Sequence, residues 1–213
     1  MRISSNILKH HLKNAYFLSG TACGGKTTMA KILSEKHGFI LYNGSIHHEG
    51  HREVATPDEQ PNLTRVFLSW DCYFNRPVSE YWQWLSHCRE EQLEMILVDL
   101  LKLPSDQKIM VDMHLTPEVA KEITDLERAA FLIAEPDLVI RDYFDRDDHR
   151  DMLECIMSLS DPDKALKNVA DVLVHGVKKD LESVYESGFF YIKRDENSTT
   201  EKTLRLLERH FNL

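Results

Sequence analysis

No apolar run in the 213 residues approaches the roughly 20 that a membrane-spanning helix needs. A helical membrane anchor is therefore not expected. The opening stretch, MRISSNILKHHLKNAYFLSG, scatters charges where a secretory leader would carry an uninterrupted apolar core, so no leader is expected either. Cysteine is scarce. Cys23, Cys72, Cys88 and Cys155 lie far apart and form no C-x-x-C pair, which argues against a disulfide framework or a cysteine-rich zinc site. Reduced thiols in a cytoplasmic protein fit better. No run of Lys and Arg is present, and the formal net charge is −9. Such a chain repels a phosphate backbone, so a nucleic-acid partner is not expected. There is no internal repeat, no low-complexity segment and no N-K-x-D element of the kind a guanine-nucleotide switch uses. The nearest strings, Lys167-Asn168 and Lys178-Lys179-Asp180, do not fit it.

The sequence does contain an alternation of short apolar runs with helical stretches. The runs are 15–19 (AYFLS), 39–42 (FILY), 108–113 (KIMVDM), 129–134 (AAFLIA) and 189–193 (FFYIK). Between them, Met29, Ala30, Ile32 and Leu33 recur at helical spacing. So do Leu93, Ile96, Leu97, Leu100 and Leu101, in a helix expected from about 78 to 103. Thr116-Pro117 is expected to start a short helix, Asp161-Pro162 a long one, and Ser198-x-x-Glu201 to box the last one. Alternation of this kind implies a parallel sheet with helical crossovers, the α/β class.

One string carries specific chemistry. Gly20-Thr21-Ala22-Cys23-Gly24-Gly25-Lys26-Thr27 fits G-x-x-x-x-G-K-[ST], the Walker A pattern, with Thr28 next. Glycines let a backbone wrap around phosphates with its N–H groups turned inward. The helix that follows points its positive end at the same anion. Lys26 is placed to bridge the β- and γ-phosphates, and the Thr27 hydroxyl to ligate Mg²⁺. The pattern follows an apolar strand and opens an amphipathic helix, the context it requires. Gly20 to Thr28 are therefore the expected nucleotide-binding residues, with ATP and Mg²⁺ as ligands. A glycine-rich turn with an incidental lysine is the bland alternative.

At these residues the chain resembles the P-loop kinases, the superfamily of adenylate, nucleoside, shikimate and gluconate kinases, and within it small kinase-like ATPases. The resemblance implies a three-layer α/β domain over 1–213, with a five-stranded parallel sheet in the order 2-3-1-4-5. It also implies an inserted acceptor-binding region over 44–107 and a lid over 141–160. Asp112, in Ile109-Met110-Val111-Asp112, is the candidate second metal residue. An acidic side chain ending the strand beside the phosphate loop can hold magnesium through water. Asp99 has a similar local string but sits in a helical run, so it reads as a solvated helix residue. Arg141, Arg146 and Arg150 fall where kinase lids carry phosphoryl-clamping arginines. Arg146 and Arg150, four apart, are expected on one helical face and are the catalytic candidates beside Lys26. A salt-bridged surface helix is the competing reading, since five aspartates interleave with them.

The acceptor region is less legible. Kinases of this kind often carry a catalytic Asp after strand two, but here Tyr42-Asn43-Gly44-Ser45 follows. Asp71, Glu49, Glu53 and Asp112 are the substitutes available. Trp70, Trp82 and Trp84 cluster in the insertion with Tyr73, Phe74 and Tyr81. They either pack it onto the sheet or stack on a flat acceptor. Arg52, Arg65 and Arg76 are either surface charges or contacts for an anionic acceptor. His47, His48 and His51 lack metal-site spacing, and Gly50 argues for a polar loop there. Cys23 beside Lys26 has either a thiolate character or a filler role. The sequence thus points to a kinase for a small-molecule acceptor, nucleoside-like or anionic. An ATP-hydrolysing regulatory protein is the alternative.

Overall fold

The computed structural model describes residues 3–146 and 149–213. The described elements run β1 (Ala15–Gly20), α2 (Lys26–His37), β2 (Ile40–Asn43), α3 (His48–Val54), α4 (Trp70–Phe74), α5 (Val78–Lys102), β3 (Ile109–Asp112), α6 (Pro117–Ile123), β4 (Ala129–Ala134), α7 (Pro136–Asp142), α8 (Arg150–Met157), α9 (Pro162–Ser187), β5 (Phe190–Arg194) and α10 (Thr200–Phe211). A short helix α1 (Ser5–His11) precedes them. The five strands form one sheet in the order β2-β3-β1-β4-β5, and every pairing is parallel.

Parallel sheets bury both faces, and the strands show how. In β1, Ala15 and Phe17 enter one core while Leu18 enters the other. In β4, Ala129, Phe131 and Ile133 face the first core and Ala130 and Leu132 the second. The first core is closed by α1, α5, α6 and α9, through Leu8, Ile96, Leu100, Ile123 and Val184. The second is closed by α2 and α10, through Met29, Leu33, Leu207 and Phe211. The leucine-rich face of α5 is therefore core, although Leu101 turns outward.

Several local expectations shift. Thr199, not Ser198, caps α10 by accepting from Lys202 N, while Ser198 Oγ donates to Asp195. Thr116 caps α6 as expected, accepting from Val119 N. Residues 48–54 form a helix in spite of Gly50, because His51 is held on the core side. Its Nε2 lies 2.9 Å from Asp99 Oδ2 and its Nδ1 accepts from Gln92 Nε2 at 3.1 Å. Both ring nitrogens are thereby used, which leaves none for a metal. Asp99 is consequently not a merely solvated helix residue: it also accepts from Tyr42 Oη at 3.0 Å. His47 stacks on Tyr42 with 4.6 Å between ring centroids. No cluster of His, Cys, Asp and Glu able to hold a metal occurs among the described residues. No described helix is long and apolar enough to cross a membrane.

Candidate functional site

The glycine-rich loop expected to hold phosphate, here called the phosphate loop, lies between β1 and α2, at the carboxyl end of the central strand. Gly20 and Gly25 take positive φ values of 117° and 95°, and Cys23 sits at 56°. Alternating backbone of this kind turns successive N–H groups toward one concavity. The first turn of α2 adds N–H groups that have no acceptor within the helix. The loop is clamped from outside. Thr21 N donates to Leu132 O and Thr21 Oγ1 accepts from Ala134 N at 2.7 Å. Arg194, ending β5, donates to the Cys23 carbonyl and, at 3.1 Å, to Asp142.

Lys26 Nζ donates to the carbonyls of Gly20 at 3.1 Å and Thr21 at 2.6 Å, so it reaches back across the loop. Burial pulls its pKa down to about 8, against the opposing pull of Asp112 and Asp180. Arg89 and Arg146 push it down further. Asp112 is buried at the end of β3 and its carboxyl is held above the usual range by desolvation. The nearby Thr27 side chain pulls it part of the way back down. Asn43 Nδ2 donates to Asp112 Oδ2 at 2.8 Å. A hydroxyl and a carboxylate, both oxygen donors, thus meet beside the loop, a pair that fits a hard cation sharing its remaining sites with phosphate and water.

Arg146 reaches the loop as well. Its side chain hydrogen-bonds Cys23, and its charge acts on Lys26 and Asp112. Arg150 does not share its helical face, as α8 begins at Arg150 and Arg146 lies in the irregular stretch before it. Asp147 and Asp148, between them, lie outside the described residues. Arg141 pairs with Asp142 instead. Burial raises the Cys23 thiol more than Arg146 lowers it, so a filler role, not a thiolate, fits this cysteine.

Three titratable groups that were not among the candidate site residues lie next to Lys26, and burial keeps one of them, His114, toward its neutral form. His114, two residues beyond Asp112, has Nε2 3.1 Å from Asp180 Oδ2 on α9 and 3.4 Å from Arg89 Nη1 on α5. Their segment is stitched to the loop strand: Leu115 N donates to Ser19 Oγ at 2.7 Å, and Ser19 Oγ donates back to Leu115 O at 2.9 Å. Long-range packing alone joins them, so no local motif could have announced the cluster. Of the substitutes for a catalytic Asp, Glu49 is exposed and pairs with Arg52, Glu53 is exposed, and Asp71 accepts from Ser160. Asn43, where that Asp was sought, is committed to Asp112 and to the turn at Ser45.

The insertion holds a cavity of about 810 Å³ bounded by α3, the segment 63–70 and α5. Trp70, Tyr73 and Trp84 line it. Trp82 does not; it packs on Gly176 of α9, where an added Cβ would come within 2.2 Å of its ring.

No family model matches the chain, and no curated protein matches it in sequence. Among solved structures it is similar to shikimate kinase from Bacteroides thetaiotaomicron, with a TM-score of 0.57 at 15% identity over 93% of this chain and 98% of that one. Further away lie shikimate kinase from Acinetobacter baumannii in complex with shikimate (TM-score 0.49, 17% identity, 93% of each chain) and deoxyadenosine kinase from M. mycoides with bound dCTP (TM-score 0.42, 13% identity, 93% and 98%). The phosphate loop after the central strand, the parallel order 2-3-1-4-5 and the end-to-end match to the first of these give one conclusion: the chain has the fold of the P-loop kinases.

Proposed function

We propose that the protein is an ATP-dependent phosphotransferase acting on a small-molecule acceptor. The observation that carries this reading is the convergence of Lys26, the Thr27–Asp112 pair and Arg146 on one phosphate loop. In the proposed reaction, the loop from Gly20 to Thr28 binds the phosphates of ATP. Lys26 leaves the Gly20 and Thr21 carbonyls for the β- and γ-phosphate oxygens. Thr27 and Asp112 would hold Mg²⁺, which would offset charge on those oxygens. An acceptor hydroxyl oxygen bonds to the γ-phosphorus as the bond to the bridging oxygen breaks. ADP departs with that electron pair, and the hydroxyl proton passes to water. Arg146 faces the phosphoryl oxygens, where charge gathers in the transition state. Residues 44–107 serve as the acceptor region and 141–160 as the lid, with Arg150 joining the site when the lid closes.

Phosphoryl transfer depends on positioning and electrostatics more than on a base, so Asn43 in place of Asp is compatible with it. The cavity in the insertion favours an acceptor over plain ATP hydrolysis, which has no use for one. The test is ADP release from Mg-ATP across pooled nucleosides, nucleotides, sugars, aminoglycosides and shikimate-like acids. A pool that stimulates wild type but not Lys26→Ala supports the proposal. Turnover that no pool changes would favour a regulatory ATPase.

Two variants probe the parts. Asp112→Asn keeps the shape but removes the charge, and should raise the Mg²⁺ concentration for half-maximal turnover about tenfold or more. A magnesium titration of the rate checks this, and an unchanged midpoint removes Asp112 from the metal site. Arg146→Ala should lower the maximal rate about 10²-fold while ATP affinity changes little. An unaltered maximal rate rejects the clamp.

A further inference from the structure

The lining of the 810 Å³ cavity has a sign. Arg52, Arg65 and Arg89 border it, with His48, and no Asp or Glu does among the described residues. This is notable in a chain whose net charge is −9. Two of the arginines are steadied at one edge: Arg52 Nε donates to Leu63 O in the wall at 3.3 Å and Nη1 to Glu49 outside it at 3.4 Å, and Arg65 Nη2 donates to Glu80 at 3.0 Å. Arg89 is half-buried, and its contact with His114 marks the end of the cavity that faces Lys26.

A fourth arginine stands behind the wall. Arg76 is 6% exposed, and its guanidinium carbon lies 4.1 Å from the ring centroid of Tyr81, 4.2 Å from Phe67, 4.5 Å from Trp84 and 4.9 Å from Tyr73. Its Nε donates to Tyr73 O, but Nη1 and Nη2 have no hydrogen-bond partner. This buried cation is held by the ring faces and the Tyr73 carbonyl, with Arg65 and Glu80 the charged side chains that act on it. Phe67, Tyr73 and Trp84 are walls of the cavity as well as of this cage. The cavity therefore offers aromatic walls backed by positive charge, in a volume suited to a molecule of nucleotide size.

We propose that this cavity is the acceptor site and that it takes a flat ring carrying a phosphate or carboxylate. The ring packs along Phe67, Trp70 and Trp84, the anion meets Arg52 and Arg65, and the phosphoryl-accepting end lies toward Arg89. Cationic acceptors such as aminoglycosides are repelled, and neutral sugars leave the arginines without an anion. The word acceptor rests on the phosphotransferase reading; the binding preference does not.

Isothermal titration calorimetry with the intact protein tests the preference, with and without saturating Mg-AMPPNP to occupy the phosphate loop. The probes are AMP, UMP and 4-hydroxybenzoate (flat and anionic), adenosine (flat and neutral), ribose 5-phosphate (anionic without a ring) and tyramine (flat and cationic). At least one flat anion should bind about tenfold or more tighter than the other three probes. Arg65→Gln and Arg52→Gln, both on partly exposed side chains, should each weaken it about tenfold, the usual effect of losing a charged hydrogen bond. Preferred binding of adenosine, ribose 5-phosphate or tyramine overturns the proposal. So does binding of none of the probes, or equal binding by both arginine variants. AMPPNP binding without probe binding sinks the cavity assignment and leaves the nucleotide reading standing. Probe binding without AMPPNP binding does the reverse.

Discussion

Lys26→Ala should lower ATP-dependent turnover by about 10²- to 10³-fold, the usual cost of removing one donor from a preorganised anion site. The expected loss follows from burial. The Lys26 ammonium is desolvated enough that its pKa sits at about 8. Two backbone carbonyls hold it within the loop. Phosphate oxygens are stronger partners than carbonyls, so nucleotide binding raises that pKa again. The sign of the pH dependence follows. Below pH 8 the ammonium is charged with and without nucleotide, and affinity is flat. Above pH 8 the free protein loses the proton that the complex keeps, so binding takes up a proton and affinity falls by up to about tenfold per pH unit. Titration of a fluorescent ATP analogue from pH 6 to 10 checks this, with Lys26→Ala expected to lack the break. A wild-type affinity that stays flat through pH 9.5, or a variant with normal turnover, contradicts the role given to Lys26.

Gly20→Ala should destabilise the fold by more than about 4 kcal/mol, the range of severe core disruptions. Gly20 is both the last residue of β1 and the first of the phosphate loop. A Cβ on it would lie 2.1 Å from Leu132 O and 2.8 Å from Leu132 C and N. Those are backbone atoms of the paired strand, which cannot swing aside as a side chain can. Its φ of 117° adds conformational strain for any L residue. The substitution thus forces β4 away from β1 at the junction that Thr21 N, donating to Leu132 O at 3.1 Å, otherwise closes. Gly25→Ala is the control. Nothing lies within 4 Å of its Cβ position, so only the backbone strain at φ 95° remains, about 1–3 kcal/mol. Urea unfolding of the two variants beside wild type measures the difference. Equal stability of Gly20→Ala and wild type would mean that β1 and β4 are not packed as described.

The five strands were legible because each is a short apolar run bounded by turns or helices, and periodicity is a local property. The run 129–134 coincides with β4, and 15–19 falls one residue short of β1. The strand order came by way of the phosphate-loop resemblance and matches the sheet. Helix α1 escaped notice because seven polar-rich residues offer only Leu8 as a buried position. The lid arginines were read as one helical face from spacing alone. The helix starts only at Arg150, and what brings Arg146 to Cys23 is the fold of the stretch before it.

The sequence by itself determined the fold class and the strand-to-helix turn from Gly20 to Lys26, because apolar runs and glycines at fixed spacing depend on neighbours along the chain. The tertiary structure alone decided the rest. Asp112 meets Thr27 because β3 pairs with β1, and His114, Asp180 and Arg89 meet because three distant elements converge beside that pair. Arg76 reads in sequence as either a surface charge or a contact for an anionic acceptor. Only the packing of α4, α5 and the segment that carries Phe67 surrounds it with four rings. Contacts between residues far apart in the chain leave no periodic trace in it, and in this protein they define the proposed acceptor site.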